Sequence, residues 1–368
     1  MRIVLAGRLA GTPGQGGATW AVLQYLLGLR RLGHDVWFVE PVQDLTAGCA
    51  AYFRSVADEF GLAGRAALLP GQGRAVGVSY RLVRAAAASA DLLLNISGVL
   101  RDPALVEAVR WRTYIDLDPG FTQLWHIQGN DVGLAGHDRY ATIGRTIGAN
   151  GSGVPTCAID WIPAVQPVVL KWWPVAPPPR RMALTTIGNW RSYGSIDHRG
   201  VHYGQRAHSM RELVRLPNLT DVPLTPALSI DADERRDMSL LADNGWKLVD
   251  PAHVAATPSS YQRFIQSSWA ELGVAKSGYV VSRSGWFSDR SACYLASGRP
   301  VLAQDTGFDV FLPTGIGLLT FRTTEDAAGR IEELAGAYPA HARAARELAE
   351  AYLDSDQVLA SLLDSVMP

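Results

Sequence analysis

The first forty residues constrain the fold more than any other part of the chain. Ile3-Val4-Leu5-Ala6 is a short apolar run of the kind found in buried parallel strands. A glycine loop follows, Gly11-Thr12-Pro13-Gly14-Gln15-Gly16-Gly17. From Ala18 to Leu32 apolar residues recur at helical spacing, through Trp20, Leu23, Leu26 and Leu27, and Gly33 closes the pattern as a C′ residue. Val36 to Val39 reads as the next strand. This is one βαβ unit, whose crossover is right-handed in nearly all proteins. A chain that opens this way is committed to an α/β fold with a parallel sheet.

The pattern continues for the length of the chain. Further strands are expected at 91–96, 112–116 and 139–143, each ending in Gly or Asp-Pro-Gly. The texture then changes: between Pro163 and Pro179 lie six prolines and the adjacent Trp172 and Trp173, which reads as a stiff linker. A second series follows, with a strand at 183–187 ending in Gly188-Asn189-Trp190 and a helix at 207–216. Next come a strand at 224–230, a helix at 237–244, a helix from Tyr261 to Leu272, and strands at 278–281 and 300–303. Residues 327–366 read as helix in two pieces, broken near Tyr338-Pro339. A length of 368 residues suits two domains. The expected architecture is α/β, two Rossmann-like domains facing a central cleft. Residues 1–170 form the first domain, 171–182 the linker, 183–350 the second domain, and 351–368 a last helix packing back on the first. Clefts between such halves are where ligands bind.

Charge and cysteine content remove several function classes. Lys plus Arg number 34 and Asp plus Glu 35, a net charge of −1, so neither a broad basic nucleic-acid surface nor a polybasic membrane anchor is expected. Cys49, Cys157 and Cys293 are far apart and form no CxxC or Cys/His cluster, which argues against a disulfide scaffold or a structural zinc site. The apolar run near Met1 is too short for a signal segment, and no stretch approaches 18 uninterrupted apolar residues. The expectation is a soluble cytoplasmic protein with small-molecule partners, no nucleic acid and no membrane span.

Three constellations carry candidate chemistry. The glycine loop, read from Gly14, is Gly-Gln-Gly-Gly-Ala-Thr; the third glycine of GxGxxG falls at Thr19, and no Gly-Lys-Ser/Thr follows, so it is neither a dinucleotide fingerprint nor a P-loop. Glu40, at the end of the second strand where a ribose-binding acid would sit, keeps an NAD-linked oxidoreductase as an alternative. Gly16 and Gly17 would let backbone approach an acceptor across the cleft, or would simply close a βα turn.

The second constellation is Ile115-Asp116-Leu117-Asp118-Pro119-Gly120, followed by His126 and His137-Asp138. Carboxylates at i and i+2 share one face of a strand and can hold a divalent cation or poise one as a base, although Asp-Pro-Gly is also ordinary turn chemistry. His137 is suited to proton transfer near neutral pH, or is a hydrogen-bonded loop residue. Asp116, Asp118 and His137 are the candidate catalytic residues.

The third constellation is the densest: Arg283-Ser284-Gly285-Trp286-Phe287-Ser288-Asp289-Arg290-Ser291, then a helix at 292–296, then Ser297-Gly298-Arg299-Pro300-Val301-Leu302. Helix N-terminal amides with Arg290 would suit an anionic diphosphate. Asp289 would accept from sugar or ribose hydroxyls, or cap the helix with Ser288.

Helix-Ala-Ser-Gly-Arg-Pro-Val-Leu-Ala resembles the segment that closes the donor-binding helix of GT-B glycosyltransferases. Gln15-Gly16-Gly17 opening a helix that ends at Gly33 resembles the acceptor-domain start of the same class, and Gly-Trp-Phe-Ser-Asp-Arg-Ser is similar to a subgroup akin to the spore-maturation type. The resemblance implies a metal-independent enzyme that moves a sugar from a nucleotide-diphosphate co-substrate to a small-molecule or glycan acceptor, with no other cofactor. It also brings Gly188, Asn189, Trp190 and Arg191 to the donor, with Lys276 and Arg283 as further basic groups; Trp190 would stack on the base, or, as a tryptophan after a strand more often does, belong to the core or an interface. The full donor set is then those residues with Ser284, Gly285, Trp286, Phe287, Ser288, Asp289, Arg290 and Ser291. Two glutamates that bracket this loop in the common retaining subgroup would fall at Gly285 and Cys293, neither acidic; Asp289 is the candidate substitute, and the stereochemical course stays open. A nucleotide-sugar 2-epimerase of the same fold and a non-catalytic sugar-nucleotide-binding protein are the remaining alternatives.

Overall fold

The structure, a computed structural model, describes residues 1–149, 152–179 and 181–367. The first domain is built on eight strands: β1 (Arg2–Ala6), β2 (Asp35–Val42), β3 (Ala66–Pro70), β4 (Val76–Gly77), β5 (Leu92–Ile96), β6 (Trp111–Asp116), β7 (Arg139–Thr142) and β8 (Trp161–Pro163). They lie in the order β4-β3-β2-β1-β5-β6-β7-β8, parallel except for the β3–β4 edge. Ile3 of β1 pairs with Val36 on one side and Leu92 on the other, so chain order reverses beside β1. Ile3 to Ala6 and Leu92 to Ile96 are buried along their whole length, which is why they read as continuous apolar runs without alternation. The first helix, Gly16–Arg31, covers one face with Trp20, Leu23, Leu26 and Leu27.

The second domain holds β9 (Leu184–Thr185), β10 (Ile187–Asn189), β11 (Ile196–His198), β12 (Val201–Tyr203), β13 (Ala227–Ser229), β14 (Ala270–Gly273), β15 (Val301–Gln304) and β16 (Leu318–Phe321). A parallel sheet runs β16-β15-β14-β9, β10 pairs in parallel with β13, and β11 and β12 form an antiparallel hairpin. Two sequence expectations are corrected here. Residues 278–281 are not a strand but part of helix Ser277–Ser282, and the helix expected from Tyr261 to Leu272 ends at Ser267. The strand is β14, disguised because its centre is Glu271, a carboxylate with no exposure. Tyr279 and Val280 are strand-favouring, yet Tyr279 packs against Phe121 and Trp286 from a helical turn, so tertiary contacts override propensity.

The carboxy-terminal region forms three helices where two were expected: Thr324–Gly336, Tyr338–Tyr352 and Ser355–Val366. The last lies on the first helix, where Gly28 leaves room for Leu359 and Ser355, and Arg31 pairs with Asp356 at 2.7 Å. Trp173 is fully buried with its ring 5.0 Å from Trp20 and 6.3 Å from Tyr261. One hydrophobic cluster therefore runs from Leu23 and Leu26 of the first domain through Trp173 to Ile265 and Leu295 of the second.

Candidate functional site

A cavity of about 600 Å³ opens between the domains. Its walls follow the carboxyl ends of β1, β6 and β8 on one side and of β10, β13 and β14 on the other. Ligands of open parallel sheets bind at these ends.

The second-domain wall is basic. Arg206 opens helix Arg206–Glu212 and is only 7% exposed. Its Nε donates to the Val274 carbonyl at 3.0 Å, and its guanidinium lies against Gly188, where a Cβ would collide with Nη1. No carboxylate pairs with it among the described residues. Burial, with the neighbouring Arg290, lowers its pKa to about 9, so it carries its charge at neutral pH. Arg290, in contrast, is committed: Nε donates to Glu271 at 2.5 Å and Nη1 to the Ile187 carbonyl at 2.9 Å. Lys276 precedes helix Ser277–Ser282, and burial lowers its pKa while Asp118 opposes the shift.

Asp118 reaches this wall from the first domain. It accepts hydrogen bonds from the hydroxyls of Tyr193 and Tyr279 and sits 3.3 Å from Lys276 Nζ. The ammonium lies 4.1 Å from the Tyr193 ring centroid and 5.2 Å from that of Phe121, a cation–π cage. Burial raises the pKa of both tyrosines, which stay protonated and donate. Trp286 stacks on Tyr279 at 4.4 Å and 21°, and both rings line the cavity.

Several expected site residues turn out to be structural. Asp116 has no exposure and accepts from Thr122 Oγ1 at 2.7 Å, Gln123 Nε2 at 2.9 Å, Thr142 Oγ1 at 2.8 Å and the Asp118 amide at 2.9 Å. It fixes the turn that delivers Asp118, and the two carboxylates do not converge on a cation or a shared proton. His137 lies outside the cavity, against Tyr114 and hydrogen-bonded to Asn95 at 3.0 Å; burial lowers its pKa. The Gly16 amide donates to the Ala255 carbonyl at 2.8 Å, and a Cβ there would strike Thr257, so this glycine serves domain contact and not an acceptor. Gly17 does line the cavity, with Tyr261 packed so close that a Cβ would lie 2.7 Å from its ring. Glu40 is fully buried and accepts from the Ala10 and Gly11 amides at 2.8 and 2.6 Å, which removes the ribose acid on which the NAD reading stood.

The donor set divides in the same way. Gly188, Asn189, Lys276, Trp286, Asp289 and Arg290 line the cavity. Trp190 does not: it is core, 1% exposed, and its indole donates to Asp237 at 2.8 Å. Arg191 pairs with Glu234 away from the cavity. Arg283 caps a helix in the left-handed region (φ 46°) and pairs with Asp305 at 3.1 Å. Ser284 is buried, Gly285 (φ 73°) abuts Thr146, and Phe287 packs on Phe308 at 5.2 Å. Ser288 caps helix Asp289–Ala296 by accepting from the Arg290 amide at 3.2 Å, and Ser291 is buried inside that helix. Burial raises the Asp289 pKa against the pull of Arg290.

Sequence reasoning missed Arg206, Tyr193, Tyr279 and Gln166, all of which touch the cavity or Asp118. Arg206 had one indirect sign, the bare Cα of Gly188 eighteen residues earlier. The others stand in no motif.

No family model matches the sequence, and no curated protein matches it. Solved structures do. An alpha-glucosyltransferase in complex with UDP and a 13-mer DNA shares 10% identity over 100% of both chains with a TM-score of 0.64. Anabaena HepE in complex with UDP-glucose shares 12% identity over 99% of this chain and 100% of its own, with a TM-score of 0.62. A glycosyltransferase from Rickettsia africae shares 13% over 99% and 97%, with a TM-score of 0.57. What is common at these identities is the fold: two Rossmann-like domains about a central cleft, the GT-B arrangement.

Proposed function

We propose that this protein is a glycosyltransferase that takes its sugar from a nucleotide-diphosphate donor bound in the interdomain cavity. The observation that carries the reading is Arg206, a buried guanidinium with no carboxylate partner, facing a cavity beside a strand-end glycine. Burying a guanidinium without a direct ion pair is costly, even with Glu271 and Asp289 nearby, and is expected where an anion completes the site. With Lys276 it supplies two cationic groups for a diphosphate, and the Gly188 backbone allows phosphate to approach. Structures of similar fold hold UDP or UDP-glucose, which supports the same donor chemistry here.

In the reaction an acceptor hydroxyl oxygen forms a bond to the anomeric carbon while the bond from that carbon to the phosphate oxygen breaks. In this reading Asp118, which lines the cavity beside Lys276, takes the acceptor proton, and Arg206 and Lys276 hold the charge that develops on the leaving diphosphate. A diphosphate that draws Lys276 toward itself also frees Asp118 from its counter-ion. In this reading the arginine and lysine do the neutralising for which other enzymes use a cation, and no metal is needed. The acceptor is a small molecule or glycan: a net charge of −1 offers no broad basic surface for nucleic acid. No helix among the described residues is long and apolar enough to cross a membrane, and all three cysteines are free, which fits action in a reducing cytoplasm.

Calorimetry with UDP, GDP, ADP and dTDP tests the proposal. One of them is expected to bind the wild-type protein, and Arg206→Met is expected to weaken it about ten- to a hundredfold, the range of a charge-assisted hydrogen bond. Equal affinity in the variant, or no binding to any of the four, overturns it.

A further inference from the structure

Gln166 is the buried polar side chain of the first-domain wall whose chemistry the reaction above leaves unused. It follows the carboxyl end of β8, the last strand of the first sheet, and its residue is 5% exposed, yet it lines the cavity. Its amide makes no hydrogen bond to any described residue, whereas the other buried glutamines, Gln24, Gln123, Gln205 and Gln304, are all engaged. With no partner among the described residues, the Gln166 amide is left for whatever occupies the cavity. A carboxamide offers two donors and one acceptor in a plane, which fits adjacent hydroxyls, each able to give and to accept.

The surroundings narrow the class of ligand. Leu117 and Ala21 line the same side of the cavity, Asp118 supplies a second acceptor, and the stacked pair Trp286 and Tyr279 supplies aromatic lining. An apolar aromatic wall with a few convergent polar groups suits a ring that is apolar on its C–H faces and polar around its edge. We infer that Gln166, with Trp286 and Asp118, forms a pyranose subsite, and that Gln166 reads a pair of ring hydroxyls there. This rests on the donor reading above, for it assigns a substrate class to the sugar side of the same cavity. The pyranose comes either with the donor or as the acceptor; the recognition chemistry is shared.

The isosteric variant Gln166→Met keeps the length and burial of the side chain and removes the amide, and Gln166→Asn guards against loss of packing by retaining the amide on a shorter stem. If the ring is the donor's, calorimetry shows nucleotide-hexose affinity falling about tenfold in Gln166→Met while the bare nucleotide diphosphate binds as before. If it is the acceptor's, nucleotide-hexose affinity holds, and the KM for methyl hexopyranosides rises about tenfold with little change in kcat. Either result supports the subsite. Unchanged behaviour in both arms overturns it, as does an equal loss for the bare diphosphate, which would place Gln166 at the nucleotide. Should the wild-type protein bind no nucleotide diphosphate, the donor reading falls alone. Saturation-transfer NMR with methyl hexopyranosides then still decides the subsite: Gln166-dependent binding keeps it, and absence of binding removes it.

Discussion

If Arg206 holds the donor diphosphate as proposed, it is the residue at which stability and ligand binding oppose each other. Its guanidinium is buried, lies near Arg290 and has its pKa lowered to about 9 in the folded chain. The sign of the consequence follows from proton counting. Between about pH 9 and the ordinary arginine range, the unfolded chain keeps a proton that the folded chain has released, so stability rises with pH in that window. Below pH 9 both states are protonated and the full cost of the buried charge is felt. Arg206→Met is therefore expected to raise the melting temperature at pH 7 by about 2–4 °C even as it weakens diphosphate binding. In the wild-type protein, nucleotide affinity is expected to decline as pH passes 9. A scanning-calorimetry series at pH 7, 8 and 9 with and without nucleotide reads both effects; a variant that melts lower than wild type at pH 7 would show that Arg206 is structural. Trp190 and Asp116 teach the converse. Each stood in a plausible functional motif, and each proves to be satisfied by buried neighbours, Asp237 for the indole and Thr122, Gln123 and Thr142 for the carboxylate.

At the scale of elements, the parallel strands were legible because burial on both faces writes them as apolar runs: 3–6 and 92–96 appear in the structure within a residue of their expected places. The loops were legible only in part. The expected strand–loop–helix setting of residues 283–291 puts them at the cavity, where the structure has helix–loop–helix; which side chains enter depends on the left-handed turn at Arg283 and on the burial of Glu271, neither of which any local pattern records. β14 was lost for the same reason: a buried Glu271 balanced by Arg290 makes a core strand look like a charged helix. β10 carries the clearest consequence. Gly188 pairs with Leu228 in the ladder and has its bare Cα against Arg206. Gly188→Ala would push the end of a flexible side chain rather than backbone, so the fold is expected to change by less than about 1.5 kcal/mol while nucleotide affinity drops about tenfold or more. A urea melt beside a binding isotherm measures the two. A large stability loss with unchanged affinity would mean that the guanidinium does not meet the diphosphate.

For the molecule as a whole, the decisive feature is that the domains do not meet only at the cleft. The Gly16 amide donates to Ala255, the Trp20 indole to the Pro258 carbonyl at 2.9 Å, and the Gln24 side-chain amide to Cys293 Sγ at 3.5 Å. Trp20, Trp173 and Tyr261 pack edge to face or tilted through the middle of this contact. The chain also crosses back, so that Ser355–Val366 rests on the first helix and ties both ends of the sequence to one domain. A ligand therefore enters a cleft whose hinge is already packed, and binding energy is spent on orientation more than on bringing two free lobes together. The expected signature is a single cooperative unfolding transition for wild type. Trp20→Ala removes a side chain that is 1% exposed and is expected to cost about 3–5 kcal/mol. Because that loss falls on the shared core and leaves each sheet intact, the variant is expected to unfold in two steps, with nucleotide shifting only the one that belongs to the second domain. If Trp20→Ala still unfolds in one step, lowered by the same amount at every probe, the domains are coupled by the carboxy-terminal crossing instead. Cutting the chain after Leu353 then becomes the change that separates them, since Val168 is paired through that point to the last helix.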